Sequence, residues 1–435
     1  MSIYAYRATK LKGWYEYREV PCDICGHTDM CMIHEDGTKI VCCRVKSEIP
    51  FGSKGACPGY LHFLNGGSVK KLDFDNIMHF DEVKKKSPRE LNIVYQFMLK
   101  YCELEEVHLQ HLLGPERGMS KEEIQIRQYK SFPGKPWEIA KNVANSLRKV
   151  YGEEYKEKIF GVPGFHIVQG TKNNYVSING SRDSILIPCR DTTKQIVGFQ
   201  YRMQNPPNRL TVSSVDKKFK AKLVQQPNMV QVFFQDTVIY EGSIDFNEKE
   251  FRVNDKKVGS IVLKKGSKYL WLSSAKKENG TGAGSPLPVH LSVPYQILKD
   301  WQIGEEYPIG DTVWVTEGIL KADRLAQLLY DFRENPIFKL QGLNKFGTST
   351  WGIPGVGSYN LLLPLLKEKG VKQVILAYDM DVTTNPDVKM HLLNFSKKLS
   401  QEGIQLNAAI WDIKDAKGID ELLYKKLLPT VVTIG

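Results

Sequence analysis

The stretch "VILAYDMDV", Val374 to Val382, ends an apolar run on two aspartates with one residue between them. In an extended chain alternate residues point to the same side, so Asp379 and Asp381 would aim at one spot. Two like charges held together repel unless a cation lies between them. A second apolar run, "VWVTE", stops on Glu317. Any one of these acids also reads as a helix N-cap or first-turn residue, but three at matching strand ends read as a site. Carboxylates so grouped suit Mg²⁺ or Mn²⁺, which keep several waters and bind substrate phosphates. The chemistry implied is phosphoryl transfer, with ions stabilising the attacking and leaving oxygens.

A second group of residues suits a softer metal. Of eight cysteines, six lie between Cys22 and Cys57, and only Cys102 and Cys189 lie beyond. Cys22 and Cys25 form a C-x2-C knuckle, around which a chain can wrap a tetrahedral zinc ion. The other two ligands are open among Cys31, His34, Cys42, Cys43, Cys57 and His62. The polar stretch has little apolar material for a core, so bound zinc would supply folding energy. The uneven clustering and the start "MSIYAYRATK", without a signal-peptide core, predict a cytoplasmic protein.

The elements that must position these residues fall into three regions. Residues 1–70 form the cysteine module, with "NGGSVKK" as its exit linker. Residues 71–305 open with helices: "SPRELNIVYQF" and "SKEEIQIRQY" each carry a capping box, Ser87 with Glu90 and Ser120 with Glu123. Strands "SILIPCRD", "IVGFQYR", "VQVFFQDTVIY" and "KYLWLSS" follow, interrupted near 206–266 by an inserted β-unit with the basic turn "DKKFKAK". Residues 306–435 alternate strand and helix, with Gly370 and Gly403 as helix stops. Such alternation predicts a parallel sheet covered by helices, with its ligand site at the carboxyl ends of the strands.

"VTEGILKAD" followed by "AYDMD" resembles the Toprim domain of bacterial-type primases, topoisomerases and certain nucleases. The resemblance implies that Glu317 acts as acid or base and that Asp379 and Asp381, with Glu317, hold Mg²⁺. "IPGVGSY" sits where that family has a glycine turn, and "DAKGIDELL" offers Asp415 or Asp420, of which Asp420 is favoured. The segment "ILIPCRDTTKQIVGFQYR" with "KYLWLSS" resembles the part of bacterial replicative primases that precedes Toprim. Position by position, Arg190, Arg202 and Lys268 inherit a role in holding template and nucleotide, and Lys321, within the Toprim motif, joins them. The chain is also similar to zinc-ribbon and Toprim primase-like proteins of phages and mobile elements. Their ribbons end in a similar "GYLH", which implies Cys22, Cys25, Cys42 and His62 as the zinc set and Arg44 and Lys46 as DNA contacts.

The whole chain agrees with this reading. Its 435 residues allow several domains, no apolar run approaches the roughly 20 residues of a membrane span, and the net charge of +11 favours a polyanionic partner. The expectation is a multi-domain α/β protein with an N-terminal zinc ribbon, a mixed α+β primase-like domain and a C-terminal Toprim domain. It would make short RNA primers on single-stranded DNA from ribonucleoside triphosphates. The alternatives are a Toprim nuclease or topoisomerase, and a catalytically inactive DNA-binding accessory. No Walker A sequence is present, so a replicative helicase would be a separate chain. The glycine-rich "GTGAGS", with no lysine after it, reads as a flexible loop.

Overall fold

In the computed structural model the described residues are 5–9, 11, 13–18, 20–28, 30–51, 59–64, 77–78, 83–170, 173–275, 277–284, 286–333, 335–336, 347–380 and 386–434. The linker expected at 65–71, the stretch "IFKLQG", which the sequence leaves as a strand or a loop, and Asp381 lie outside them. The chain divides into two compact units, one made of Met1–Asp81 and Asn205–Lys268, the other of Glu82–Gln204 and Tyr269–Gly435.

In the first unit the amino-terminal segment forms a seven-stranded sheet in the order Pro50–Phe51, Gly59–Phe63, Lys39–Cys42, Met32–His34, Trp14–Tyr17, Tyr6–Ala8, Ile77–Met78. Its buried apolar cluster is small: Tyr6, Tyr17, Ile33 and Ile40 with the sulfurs of Cys22, Cys31 and Cys42. The segment Asn205–Lys268 carries two three-stranded antiparallel sheets around Phe219, Val230, Val232 and Ile261. "VQVFFQDTVIY" is a hairpin and not a single strand, because Gln235 and Asp236 take φ of 50° and 63°. Two consecutive residues at positive φ make the turn whose twist matches flanking strands.

The second unit begins with the helix Pro88–Tyr101, where the N–H and hydroxyl of Ser87 both donate to Glu90. At Lys121–Arg127 the hydroxyl of Ser120 accepts from the N–H of Glu123, as a capping box requires. The Glu123 carboxylate instead receives Arg127 and Arg324. Two cations, Arg127 one turn on and Arg324 from far along the chain, outcompete the return bond because the site is dry and an unpaired guanidinium there would be costly. The hairpin Ser184–Arg190 and Ile196–Met203 forms the centre of a four-stranded sheet with Lys130–Ser131 and Tyr269–Trp271 at its edges.

The carboxyl-terminal half holds a six-stranded sheet in the order His290–Ser292, Thr350–Ile353, Thr312–Glu317, Gln373–Leu376, Gln405–Ile410, Thr430–Thr433. The four inner strands are parallel and the two outer ones antiparallel. After Thr312–Glu317 the chain goes to one side for Thr350–Ile353, then crosses to the other for Gln373–Leu376. That reversal creates a topological switch point between the Glu317 strand and the strand that leads to Asp379, where an open α/β sheet leaves a crevice. The outer strands and Thr350–Ile353 have too few residues to show a period in the sequence, and pairing with the neighbours makes them strands. Among the described residues no helix is long and apolar enough to cross a membrane.

Candidate functional site: an acidic sheet edge and a four-cysteine centre

Glu317 ends its strand in an exposed position, and Gly318 follows with φ of 85° and ψ of 149°. Only glycine takes that conformation without strain, and it turns the chain at once into the helix Ile319–Asp331. The turn is fixed from the next strand, since the Gly318 N–H donates to the Ile353 carbonyl at 2.8 Å. The "IPGVGSY" turn lies beside it, and a methyl group on Gly355 would stand 3.8 Å from Glu317 Oε1. On the other side, the Thr316 hydroxyl donates to the Ala377 carbonyl at 2.9 Å, clamping the two strands where they open toward the edge. The Tyr378 hydroxyl is buried with no partner among the described residues. Burial pushes its pKa up and the Glu317 charge pushes it further.

One helical turn beyond Gly318, the Lys321 ammonium forms an ion pair with Asp379. A third element completes the group. A methyl group on Gly418 would lie 2.6 Å from Asp420 Oδ1, 3.3 Å from Asp379 Oδ1 and 3.6 Å from Lys321 Cε. Gly418 is thus the bare floor of a cradle into which two carboxylates and an ammonium converge. Asp420, 6% exposed, also receives Arg117 Nη1 at 3.2 Å. Its pKa is raised by burial, with Lys321 and Arg117 opposing the rise. Arg117 reaches it because Tyr424, one turn past Asp420, packs on Gly118; a Cβ there would meet the ring at 2.3 Å. Asp415 is exposed on the preceding loop.

Behind Arg117 lies a cationic patch. His111 is pushed down to about 4 by burial, with Arg202 and Arg117 adding to the effect. The Nε atoms of both arginines and Nε2 of His111 are buried with no partner among the described residues. The two arginine Nε–H groups are unpartnered buried donors, which suit an anion that reaches them.

The structure does not bring Arg190 to this patch. Arg202 pairs with Ile185 and Arg190 with Ile196, so the two arginines stand at opposite ends of one hairpin, on the order of 20 Å apart at strand rise. Arg190 is 3% exposed and donates to the Arg127 carbonyl at 2.9 Å and to Gln128 Oε1 at 3.0 Å. It belongs to a buried network centred on Asp323, which receives Arg127 (2.6 Å), Ser292 (2.5 Å), His290 Nε2 (3.1 Å) and Tyr129. His290 Nδ1 accepts the Arg190 N–H at 2.9 Å, so the ring is neutral with its proton on Nε2. Burial alone would raise the Asp323 pKa, but Arg127 and His290 hold the carboxyl well below the usual carboxylate range. This network anchors the helix that carries Lys321, two residues from Asp323. The sequence reading missed it, because buried partners so far apart in the chain leave no local pattern. Lys268 is exposed and lies in the first unit.

In the cysteine module the sulfurs of Cys22, Cys25, Cys31 and Cys42 all lie within 4.8 Å of one another. Cys25 and Cys31 are 3.6 Å apart and Cys31 and Cys42 are 3.7 Å apart. A tetrahedral zinc ion with Zn–S bonds of about 2.3 Å requires sulfur separations of about 3.8 Å, so this group could hold one. The backbone N–H groups of Arg44 and Val45 point at Cys42 Sγ, at 3.4 and 3.3 Å, as donors to a thiolate. Gly26, at φ of 72°, permits the turn after the C-x2-C pair. The fourth member of the group is Cys31, where His62 was expected; His62 Nε2 faces the Val45 carbonyl at 3.0 Å. Strand pairing explains the difference: His62 opposes Ile40, whereas Cys31 directly precedes the strand beside the one that ends on Cys42. Cys43 donates to the Met30 carbonyl, and His34 pairs with Asp36. Arg44 Nη1 lies 3.7 Å from Cys31 Sγ, Lys46 is exposed, and Cys57 lies outside the described residues.

Within "GTGAGS", expected as a flexible loop, residues 280–284 are irregular in structure and Thr281 is tied to Ser274. Thr281 N–H donates to Ser274 Oγ and the Ser274 N–H to the Thr281 carbonyl, both at 2.9 Å, so these amides are used internally.

No family model matches the sequence, and no curated protein sequence matches it. Among solved structures the chain is similar to the DnaG primase catalytic domain bound to ssDNA, at 15% identity and a TM-score of 0.38, over 79% of this chain and 81% of that one. It is similar to the Aquifex aeolicus primase with zinc-binding and RNA polymerase domains, at 10% identity and a TM-score of 0.40, over 98% of this chain and 81% of that one. It is also similar to the RNA polymerase domain of Mycobacterium tuberculosis primase DnaG in complex with a DNA oligomer bearing a 6-nucleotide overhang. There the identity is 13% and the TM-score 0.41, over 79% of this chain and 78% of that one.

Proposed function

We propose that the chain is a metal-dependent nucleotidyltransferase of the primase type, which joins ribonucleotides into short primers on a single-stranded DNA template. The observation that carries this reading is the convergence of Asp379, Asp420 and Lys321 on one cradle at a sheet switch point, with Glu317 ending the adjacent strand. Carboxylate oxygens from separate elements, open on the Gly418 side, fit a hard divalent ion. Asp379 and Asp381 would hold Mg²⁺ or Mn²⁺, which when bound neutralises phosphate charge and favours the ionised form of a nearby hydroxyl. The chain's own residues do the rest. Lys321 and Arg117 each balance one carboxylate, so the cluster stays folded while its ligands exchange. Arg202 and the outer edge of Arg117 offer donors that fit triphosphate oxygens. Glu317, exposed at the strand end, takes the proton of the attacking 3′-hydroxyl. In the first unit the four-cysteine centre holds zinc and presents Arg44 and Lys46 to the template.

The test is template-directed synthesis on single-stranded DNA with ribonucleoside triphosphates and Mg²⁺ or Mn²⁺. The parent protein makes short RNA, and Glu317→Gln and Asp379→Asn do not. Nicking of DNA by the parent without any synthesis would instead make it a Toprim-type nuclease.

A further inference from the structure

The helix Pro136–Tyr151 has two working faces. Ala140, Val143 and Leu147 are buried on one. On the other, Trp137, Lys141 and Arg148 follow at helical spacing and border a cavity of about 640 Å³. Tyr155 and Lys156, from the short helix Tyr155–Ile159, and Tyr175, from the strand Tyr175–Ile178, complete its rim. No carboxylate lines it, and none of its lining residues belongs to the acidic edge.

The lining has the composition of a ligand site. Trp137 is 40% exposed and Tyr175 44%, two large rings left facing water. The Arg148 guanidinium lies 4.5 Å over the Tyr155 ring and donates to the Tyr155 hydroxyl at 2.9 Å, so its fork is already oriented. Glu153, 3.7 Å from Arg148 Nε, is largely exposed and so holds it weakly. A cavity of several hundred cubic ångströms with aromatic walls and a few convergent polar groups is the usual form of a small-ligand site. Rings stack on bases of any identity, and cations beside them meet phosphate.

We propose that this cavity binds a nucleotide unit, with the base on the Trp137 and Tyr175 rings and the phosphate on Lys141, Arg148 and Lys156. The unit comes either as a free nucleoside triphosphate or as one nucleotide of a single strand. The site lies outside the catalytic assembly proposed above and makes a second contact with nucleotide chemistry.

Photocrosslinking of the full chain in Mg²⁺-free buffer tests it, with 8-azido-ATP in one arm and oligo(dT) carrying one 5-iododeoxyuridine in the other. The label falls on peptides containing Trp137 or Tyr175 in at least one arm, and which arm responds identifies the source. Trp137→Ala weakens labelling at least about fivefold, and so does the double variant Lys141→Glu/Arg148→Glu, whose exposed sites leave the helical circular dichroism unchanged. Asp379→Asn, which abolishes synthesis in the reading above, keeps this label. Labelling of neither peptide in either arm overturns the proposal, as does labelling that survives the charge reversals or vanishes with Asp379→Asn.

Discussion

The cysteine module and the acidic sheet edge both gather groups that repel when ionised, but they relieve the repulsion differently. At the sheet edge the chain brings its own cations: Lys321 on Asp379 and Arg117 on Asp420. In the cysteine module four sulfurs face one another, and a cation near them, Arg44 at 3.7 Å from Cys31 Sγ, could balance no more than one of the four if they ionised. Hydrogen bonds from Cys22 and Cys31 pull the Cys25 thiol down, while the contact with Cys25 pushes Cys22 up to about 12. A centre that cannot fully neutralise itself would need a bound ion for its fold. One that can neutralise itself is free to exchange ions and substrates.

The largest effect that follows is on the cysteine module. Structural zinc in isolated fingers contributes on the order of 10 kcal/mol. Cys31→Ser should therefore lose the bound zinc and the fold of the amino-terminal sheet, as read by metal analysis and limited proteolysis. If the self-neutralising account is right, Asp379→Asn shows the opposite balance. Its melting temperature stays within a few degrees of the parent while synthesis falls by roughly a thousandfold, the scale of removing a group that acts on the transition state.

A third change probes what holds the edge in place. Asp323→Asn leaves buried Arg127 with Glu123 as its one remaining carboxylate, which costs up to about 3–5 kcal/mol, and denaturant melts should show the loss. Because the native Asp323 pKa lies below its unfolded value, its contribution is complete above that unfolded pKa and is lost as pH falls through the native one. The gap between variant and parent should therefore be constant at neutral pH and narrow below about pH 4. The smallest effect is His62→Ala, which removes one partly exposed contact to the Val45 carbonyl and should leave zinc content at one equivalent, with stability changed by about 1 kcal/mol. Loss of zinc in that variant would return His62 to the metal set.

What was legible in the sequence follows the range of the forces involved. The parallel strands before Glu317 and Asp379, the capping box at Ser87 and the C-x2-C knuckle are local patterns, and all of them stand in the fold. The short strands His290–Ser292 and Thr430–Thr433 were not legible, because only their neighbours make them strands. Arg190 read as a phosphate grip because an arginine at a strand end looks the same whether it faces solvent or a buried carbonyl. His62 read as a zinc ligand by position, while the register that places Cys31 among the sulfurs is a long-range fact. Arg117 and Gly418, which complete the acidic cradle, are unremarkable until the loop and helix that carry them pack together.

In the function proposed above, the sheet edge transfers nucleotides and is folded independently of its metal. The direct measurement is primer synthesis on single-stranded DNA by the parent, Glu317→Gln and Asp379→Asn proteins, each first shown to have the parent's melting temperature. Short RNA products are expected from the parent, with a loss of roughly a thousandfold in both variants. Equal synthesis by all three would contradict it.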